Sequence, residues 1–317
     1  MSNQSNNQGR AYEYVCINTL CTEINKIRAA EIIKNSAYEA ATRAWNSTSD
    51  GFKYILQQSA VAAVSTIFDM EPMLLETDSD LLTLKIQTDN EGKVGDVRDI
   101  IIARSDIKWE IGLSIKHNHF AVKHSRLAKT LDFGAKWFGI PCSKQYWNSI
   151  EPIFNYLSEQ KAGNKNWNEL PTKDKDVYVP LLKAFIDEVL RSNENDPTVP
   201  QKMVEYLLGE FDFYKIISID SKRITQIQTY NLHGTLNQSS RVVTPKIAVP
   251  HTLLPTRIVS LDFKPNSTNT VELYMDGGWQ FSFRIHNAST KVETSLKFDI
   301  QIVGMPTTII TINCSWN

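Results

Sequence analysis

The stretch GDVRDIIIARSDIKWEIGLSIKHNHFAVKHSRL, residues 95–127, carries two short apolar runs separated by a polar turn, each with an ionisable residue at one end. Asp99 stands directly before Ile100-Ile101-Ile102, so it lies near the end of a buried strand. On the returning strand, Ile107 to Ile115, a period of two puts Glu110, Gly112, Ser114 and Lys116 on one face. Ile111, Leu113 and Ile115 fall on the other. With Leu81 to Thr88 and Val97 to Ala103 read the same way, an antiparallel meander of three strands is expected here.

The apolar face belongs to a core, which leaves a polar face with a lysine beside a strand with an aspartate. A metal-dependent phosphodiesterase needs that combination. Carboxylate oxygens hold a hard divalent ion, the ion offsets charge building on a phosphate, and a neighbouring lysine eases formation of hydroxide. Asp96 competes with Asp99 for the carboxylate role, but three residues separate them and a regular strand turns them to opposite faces. The following apolar run favours Asp99. Glu110 shares a face with Lys116 but lies about 20 Å from it at about 3.3 Å per residue, too far to complete the same site.

Working outward, the apolar stripe Tyr14, Ile17, Leu20, Ile24 and Ile27 predicts an opening helix from about Arg10 to Lys34. Helices are expected at Ala37–Trp45 and Phe52–Phe68, then at Ser125–Phe138, Gln145–Gln160, Val179–Arg191 and Gln201–Leu208. From Phe213 the chain turns strand-rich, with runs at Tyr214–Ile219, Ile224–Tyr230, Ile258–Phe263, Val271–Tyr274, Trp279–Ile285, Leu296–Val303 and Thr307–Ile312. Trp279, Phe281, Phe283 and Ile285 alternate with polar residues and are expected in the core. The fold class is therefore α/β, with a first part over 1–210 and a β-rich second part over 211–317 that packs onto it or continues it.

The hairpin resembles the PD-(D/E)XK nuclease superfamily, in which an aspartate on one strand is followed on the next by an acidic residue, any residue and a lysine. Asp99 matches the first element and Lys116 the last, while Ser114 stands where the acid belongs. The wider text SIKHNHFAVKHSRL, the segment YKIISIDSKRITQIQTYNLHGTLN from Tyr214 to Asn237, and GRAYEY at the start resemble the HaeIII family of Type II restriction enzymes. That resemblance implies a nuclease core, a mixed sheet flanked by helices, with residues 211–317 as the DNA-recognition part. It also implies Mg2+-dependent hydrolysis of double-stranded DNA at the palindrome GGCC, leaving blunt ends. Glu13 matches the opening helix whose glutamate commonly points into the site, and is the first candidate for the missing acid. Asp132 is the second. The catalytic set is then Asp99, Lys116, Ser114 and Glu13, with Asp99, Glu13 and Asp132 for the metal. A non-catalytic DNA-binding protein on the same fold is the rival reading, with Ser114 as its only support, and a repair nuclease of the same superfamily is a nearer alternative.

The net charge is −1, from 34 basic and 35 acidic residues, so a nucleic-acid contact must rest on a local patch. Between Glu110 and Asp132 there is no acid, and Lys116, Lys123, Arg126 and Lys129 lie there with His117, His119 and His124. His117 and His119 would share a strand face, but no cysteine lies near to complete a zinc site, and DNA contact is the preferred role for them and Asn118. Lys123, His124, Ser125 and Arg126 are placed at the start of the helix expected over 125–138, where amides and cations both suit phosphate. Arg223 and Arg284 are candidates for reading guanine, as are Arg241 and Arg257. Asn237 either bonds a base or closes a turn. The four cysteines show no paired spacing and are expected as inert thiols, and no signal peptide or membrane span is legible. A cytoplasmic protein with no membrane partner is expected, with a homodimer left open.

Overall fold

The computed structural model describes residues 2–88, 96–119 and 123–316. In chain order the strands are β1 Ala30–Ile33, β2 Leu82–Ile86, β3 Ile100–Arg104, β4 Trp109–His117, β5 Lys123–Ala128, β6 Phe213–Ile219, β7 Ile224–Tyr230, β8 Ile258–Phe263, β9 Thr270–Met275, β10 Gln280–His286, β11 Ser295–Gly304 and β12 Thr311–Ser315. The helices are α1 Ser2–Ile24, α2 Ser36–Asn46, α3 Asp50–Met70, α4 Phe133–Phe138, α5 Lys144–Ala162, α6 Val179–Asn195 and α7 Val199–Leu208. Contacts divide the chain into two units that interleave in sequence. One is built from 1–120, 209–252 and 307–317, the other from 121–208 and 253–306.

The first unit is a mixed sheet in the order β1-β2-β3-β4-β6-β7-β12. The expected meander is present, since β2 to β3 and β3 to β4 pair antiparallel. β6 then adds parallel to β4, setting Ser114 opposite Lys215 and Lys116 opposite Ile217. Because the strands are in register, one face carries Ile100, Ile102, Ile111, Leu113, Ile115, Tyr214, Ile216 and Ile227, all buried in one core with α1 and α3. The other face carries Glu110, Gly112, Ser114, Lys116 and Lys215. Beneath the helices, the Tyr12 hydroxyl meets Ser59 Oγ at 2.6 Å and Ser59 meets Thr225 at 2.7 Å, fixing the rotation of α1 and α3 against β7.

The second unit is an antiparallel sheet, β5-β11-β10-β9-β8, with α4 to α7. Trp279, Phe281, Phe283 and Ile285 are fully buried, as their alternation requires. Trp137 stacks on Phe283 at 5.9 Å between ring centres, and Phe185 meets Phe298 at 5.2 Å. Among the described residues no helix is long and apolar enough to cross a membrane.

Two expected helices are corrected. The opening helix stops at Ile24, and Ala30–Ile33 is an edge strand parallel to β2, too short for its period to show in sequence. The Asn25 side chain makes the break by donating to Ala30 O and accepting from Ala30 N. Of the helix expected over Ser125–Phe138, Phe133–Phe138 is helical, while its start belongs to a strand, Lys123–Ala128, laddered to β11 with Leu127 opposite Leu296. A pairing partner 169 residues away decides its conformation, and no local signal reports such a partner. The last strand also begins later than expected, at Thr311.

An ion cluster clamps the β2–β3 end of the first unit. Arg28, just after α1, and Arg104, at the end of β3, both reach Asp80 at 2.7 Å, and Arg104 also reaches Glu76 at 2.6 Å. The hydrogen bonds from Arg104, with those from Arg28, hold the Asp80 carboxyl down at about 2. Removing one member strands buried charge, so Asp80→Asn should lower the unfolding free energy by ~3–5 kcal/mol. The wild-type contribution is present above the ordinary carboxylate range and lost as pH falls toward about 2. Urea titrations at neutral and acid pH should therefore show the gap between variant and parent closing as the solution is acidified.

Candidate active site

Asp99 sits one residue before β3 and faces the end of β4. Its Oδ2 accepts the Ile115 amide at 2.6 Å, the Lys116 ammonium at 2.8 Å and, more weakly, the Ser114 hydroxyl at 3.3 Å. The side chain thus replaces a backbone carbonyl at the strand end, which fixes its direction. No hydrogen bond among the described residues goes to Oδ1. Both Lys116 and Asp99 remain about a quarter exposed, at 27% and 25%. A cation and an anion are held together at an open strand end, and one carboxylate oxygen is left over.

Asp96 is engaged elsewhere. It binds the Arg98 guanidinium through three contacts of 2.8–3.1 Å and takes the Gln87 amide at 2.7 Å. Burial raises its carboxyl, but the bonds from Arg98 and Gln87 outweigh that and leave it below the usual range. Arg98 also holds Glu110 at 2.7 Å and lies over the Phe211 ring at 4.0 Å. To do so it crosses Gly112, where a Cβ would come within 1.9 Å of Arg98 Cδ. Glu110 is thereby kept at the far end of the polar face from Lys116.

Glu13 lies on α1 directly after Tyr12, whose hydroxyl bond to Ser59 sets the helix rotation. Burial pushes the Cys16 thiol up, and the negative charges of both Glu13 and Asp99 add to it. The two carboxylates are therefore close enough to act on one buried group. Asp132 has a different task. It is the N-cap of α4 and belongs to the other unit, accepting the Ala135 amide at 2.9 Å and the Cys142 amide at 3.1 Å.

The candidates for DNA contact are dispersed. His117 Nε2 bonds Asp220 at 2.7 Å against the edge of Phe52, and the Asn118 side chain accepts the Asp220 amide, so this pair ties β4 to the β6–β7 turn. His119 is exposed. Arg223 closes that turn with φ 51°. Asn237 spends its amide inside the fold, donating to Met70 O and Ile247 O and accepting the Val249 amide. Of the two readings open for Asn237, this geometry is that of a turn closure. Ser125, Arg126 and Arg284 lie in the second unit. Arg126 donates to Ser295, and Arg284 faces Asp299 across the ladder at 3.4 Å. The side chains of Lys123 and His124 lie outside the described residues. Since β5 is a strand, no helix N-terminus offers amides at Lys123–Arg126.

Lys215 was not anticipated. It sits opposite Ser114 on β6 and is only 4% exposed. Burial lowers its ammonium to about 7, with the positive charge of Lys116 pushing the same way and Asp99 against it. Its signal in sequence was a lysine inside the apolar strand FYKIISI, but that β6 lies beside β4 is a matter of topology.

A family model described as HaeIII restriction endonuclease matches residues 9–306. The chain belongs to the HaeIII restriction endonuclease family. It is 52% identical over all 317 residues, and 99% of the other chain, to the Type II restriction enzyme HaeIII of Haemophilus aegyptius. No solved structure matches it. Family membership makes the protein a site-specific deoxyribonuclease of Type II and removes the non-catalytic reading. The paired Asp99 and Lys116 stand at the open strand end of this HaeIII-family fold.

Gly112 has a consequence that can be measured. Gly112→Ala must displace Arg98 from Asp96 and Glu110, at a cost of roughly 1–3 kcal/mol for a buried clash. Denaturant midpoints should show it, and Gly112→Ala with Arg98→Ala should cost less than the sum of the two single changes.

Proposed function

We propose that the chain cuts double-stranded DNA at GGCC to leave blunt ends, with Mg2+ as cofactor and with Asp99, Lys116, Ser114 and Glu13 as the catalytic set. The observation that carries the site is the Asp99–Lys116 pair at 2.8 Å at the end of β4. The sequence preference rests on the similarity to the Haemophilus aegyptius enzyme and on the resemblance of the segments quoted above.

The oxygen donors suit a small hard cation. Asp99 keeps Oδ1 clear of other bonds among the described residues, and Glu13 supplies a second carboxylate from α1. Among the described residues no group of three or more potential ligand side chains occurs. Magnesium tolerates that scarcity, because it binds through one or two carboxylates and keeps several waters. When bound, the ion would offset phosphate charge and acidify a water. Lys116 holds a proton donor at the same strand end, where its ammonium can orient the attacking water and stabilise the hydroxide form. The Ile115 amide and Ser114 hydroxyl keep the Asp99 carboxylate from turning away. The water oxygen attacks phosphorus, and the P–O bond to the leaving sugar oxygen breaks with no covalent enzyme intermediate.

Base reading is assigned to the β-rich part, residues 211–317, with Arg223 and Arg284 as candidates, and phosphate contact to Lys123, His124, Ser125 and Arg126. A palindrome cut in both strands fits two copies related by a two-fold axis, acting in the cytoplasm where the DNA is.

Lys116→Ala and Asp99→Asn should each lower single-turnover cleavage by on the order of a hundredfold or more. Specific DNA binding by Lys116→Ala should remain nearly intact. A Lys116→Ala protein that cleaves at the parental rate would sink the assignment. For the missing acid, Glu13→Gln should cost more activity than Glu110→Gln or Asp132→Asn, since these last two carboxylates are held by Arg98 and by the cap of α4. Fragment ends from a sequenced DNA test the preference directly: cuts away from the middle of GGCC would overturn it.

A further inference from the structure

Position 114 holds a serine where a second acid is expected, and the residue opposite it on the neighbouring strand is a buried lysine. Parallel pairing of β4 with β6 puts both side chains on the polar face of the sheet, the face that carries Lys116. Lys116 stands two residues beyond Ser114 on that face and its ammonium bonds Asp99 at 2.8 Å, so Lys215 shares one face of the sheet with that pair. Buried ionisable groups set beside other charged groups concentrate at functional sites.

We propose that Lys215 is a second cation of the catalytic site, supplying the positive charge to the scissile phosphate that an acid at 114, with an ion of its own, would otherwise bring. The inference rests on the Asp99–Lys116 site being the place of cleavage. An acid at 114 would lie directly beside Lys215 and be neutralised by it, so the serine and the lysine belong to one arrangement. The charge acts through the dry interior and needs no exposed ammonium, because field effects are weakly screened where water is excluded. A bound phosphate, being anionic, in turn favours the ammonium form.

The test uses the full chain with Lys215→Met, which keeps an unbranched stem of similar length in a buried place, and with Lys215→Gln as a second neutral variant. Circular dichroism on heating reports whether each is folded. Affinity is measured without divalent metal, on cognate DNA and on the same DNA with a neutral methylphosphonate at the phosphate where fragment ends locate the cut. In the parent the methylphosphonate should weaken binding several-fold, and in either folded neutral variant it should have little further effect, since the charge it removes has lost its partner. Single-turnover cleavage of unmodified DNA should fall by on the order of a hundredfold. Lys215→Arg should retain the parental response to the methylphosphonate. Additive losses in the binding cycle, or cleavage at the parental rate by Lys215→Met, would overturn the proposal. Lys116→Ala measured alongside separates two failures. If it is active, the site itself is elsewhere; if it is dead while Lys215→Met is fully active, only the role of Lys215 is lost.

Discussion

Asp99 Oδ2 takes the amide of Ile115 at 2.6 Å and the ammonium of Lys116 at 2.8 Å, from two consecutive residues of one strand. A strand sends consecutive side chains to opposite faces, so the two bonds draw on different parts of β4: its backbone, through Ile115, and its polar face, through Lys116. The carboxylate can receive both only because it stands at the point where the β3–β4 ladder ends and a backbone donor is left to satisfy. Much of the first unit serves that junction. The isoleucines of β3 and β4 bury the opposite face under α1 and α3, and the Tyr12–Ser59–Thr225 chain fixes the helix that carries Glu13.

Charge on the polar face is distributed by exclusion as much as by attraction. Arg98 gathers Asp96 and Glu110 into a separate cluster across Gly112, so that neither competes with Asp99 for Lys116. Asp80 and Glu76 are likewise committed to Arg104 at the opposite end of the sheet. Among the described residues Asp220 is likewise held, by His117 at 2.7 Å, which leaves Asp99 as the carboxylate bonded to Lys116.

Much of the first unit was legible in sequence because its elements are regular and its faces uniform. Ile100–Ile102 and the alternation from Glu110 to Lys116 state the hairpin and its register, and the Asp99–Lys116 meeting follows from them. The cap role of Asp132 and the internal bonding of Asn237 were not legible, since both depend on amides brought in by the folded chain. The strand at Lys123–Ala128 was read as helix because six residues with four polar ones give no decisive period.

By itself, then, the sequence determined the strand pair, its polar and apolar faces, the aromatic core of β10 and the family to which the text belongs. Local periodicity and short-range spacing contain that information. Only the tertiary structure decided that β6 lies parallel beside β4 and brings Lys215 against Ser114, that β5 joins a sheet with β11, and that the strand-rich tail is shared between two units. Those outcomes depend on which distant segments pair. Pairing is chosen by the burial of whole faces against one another, a quantity that no window of neighbouring residues contains.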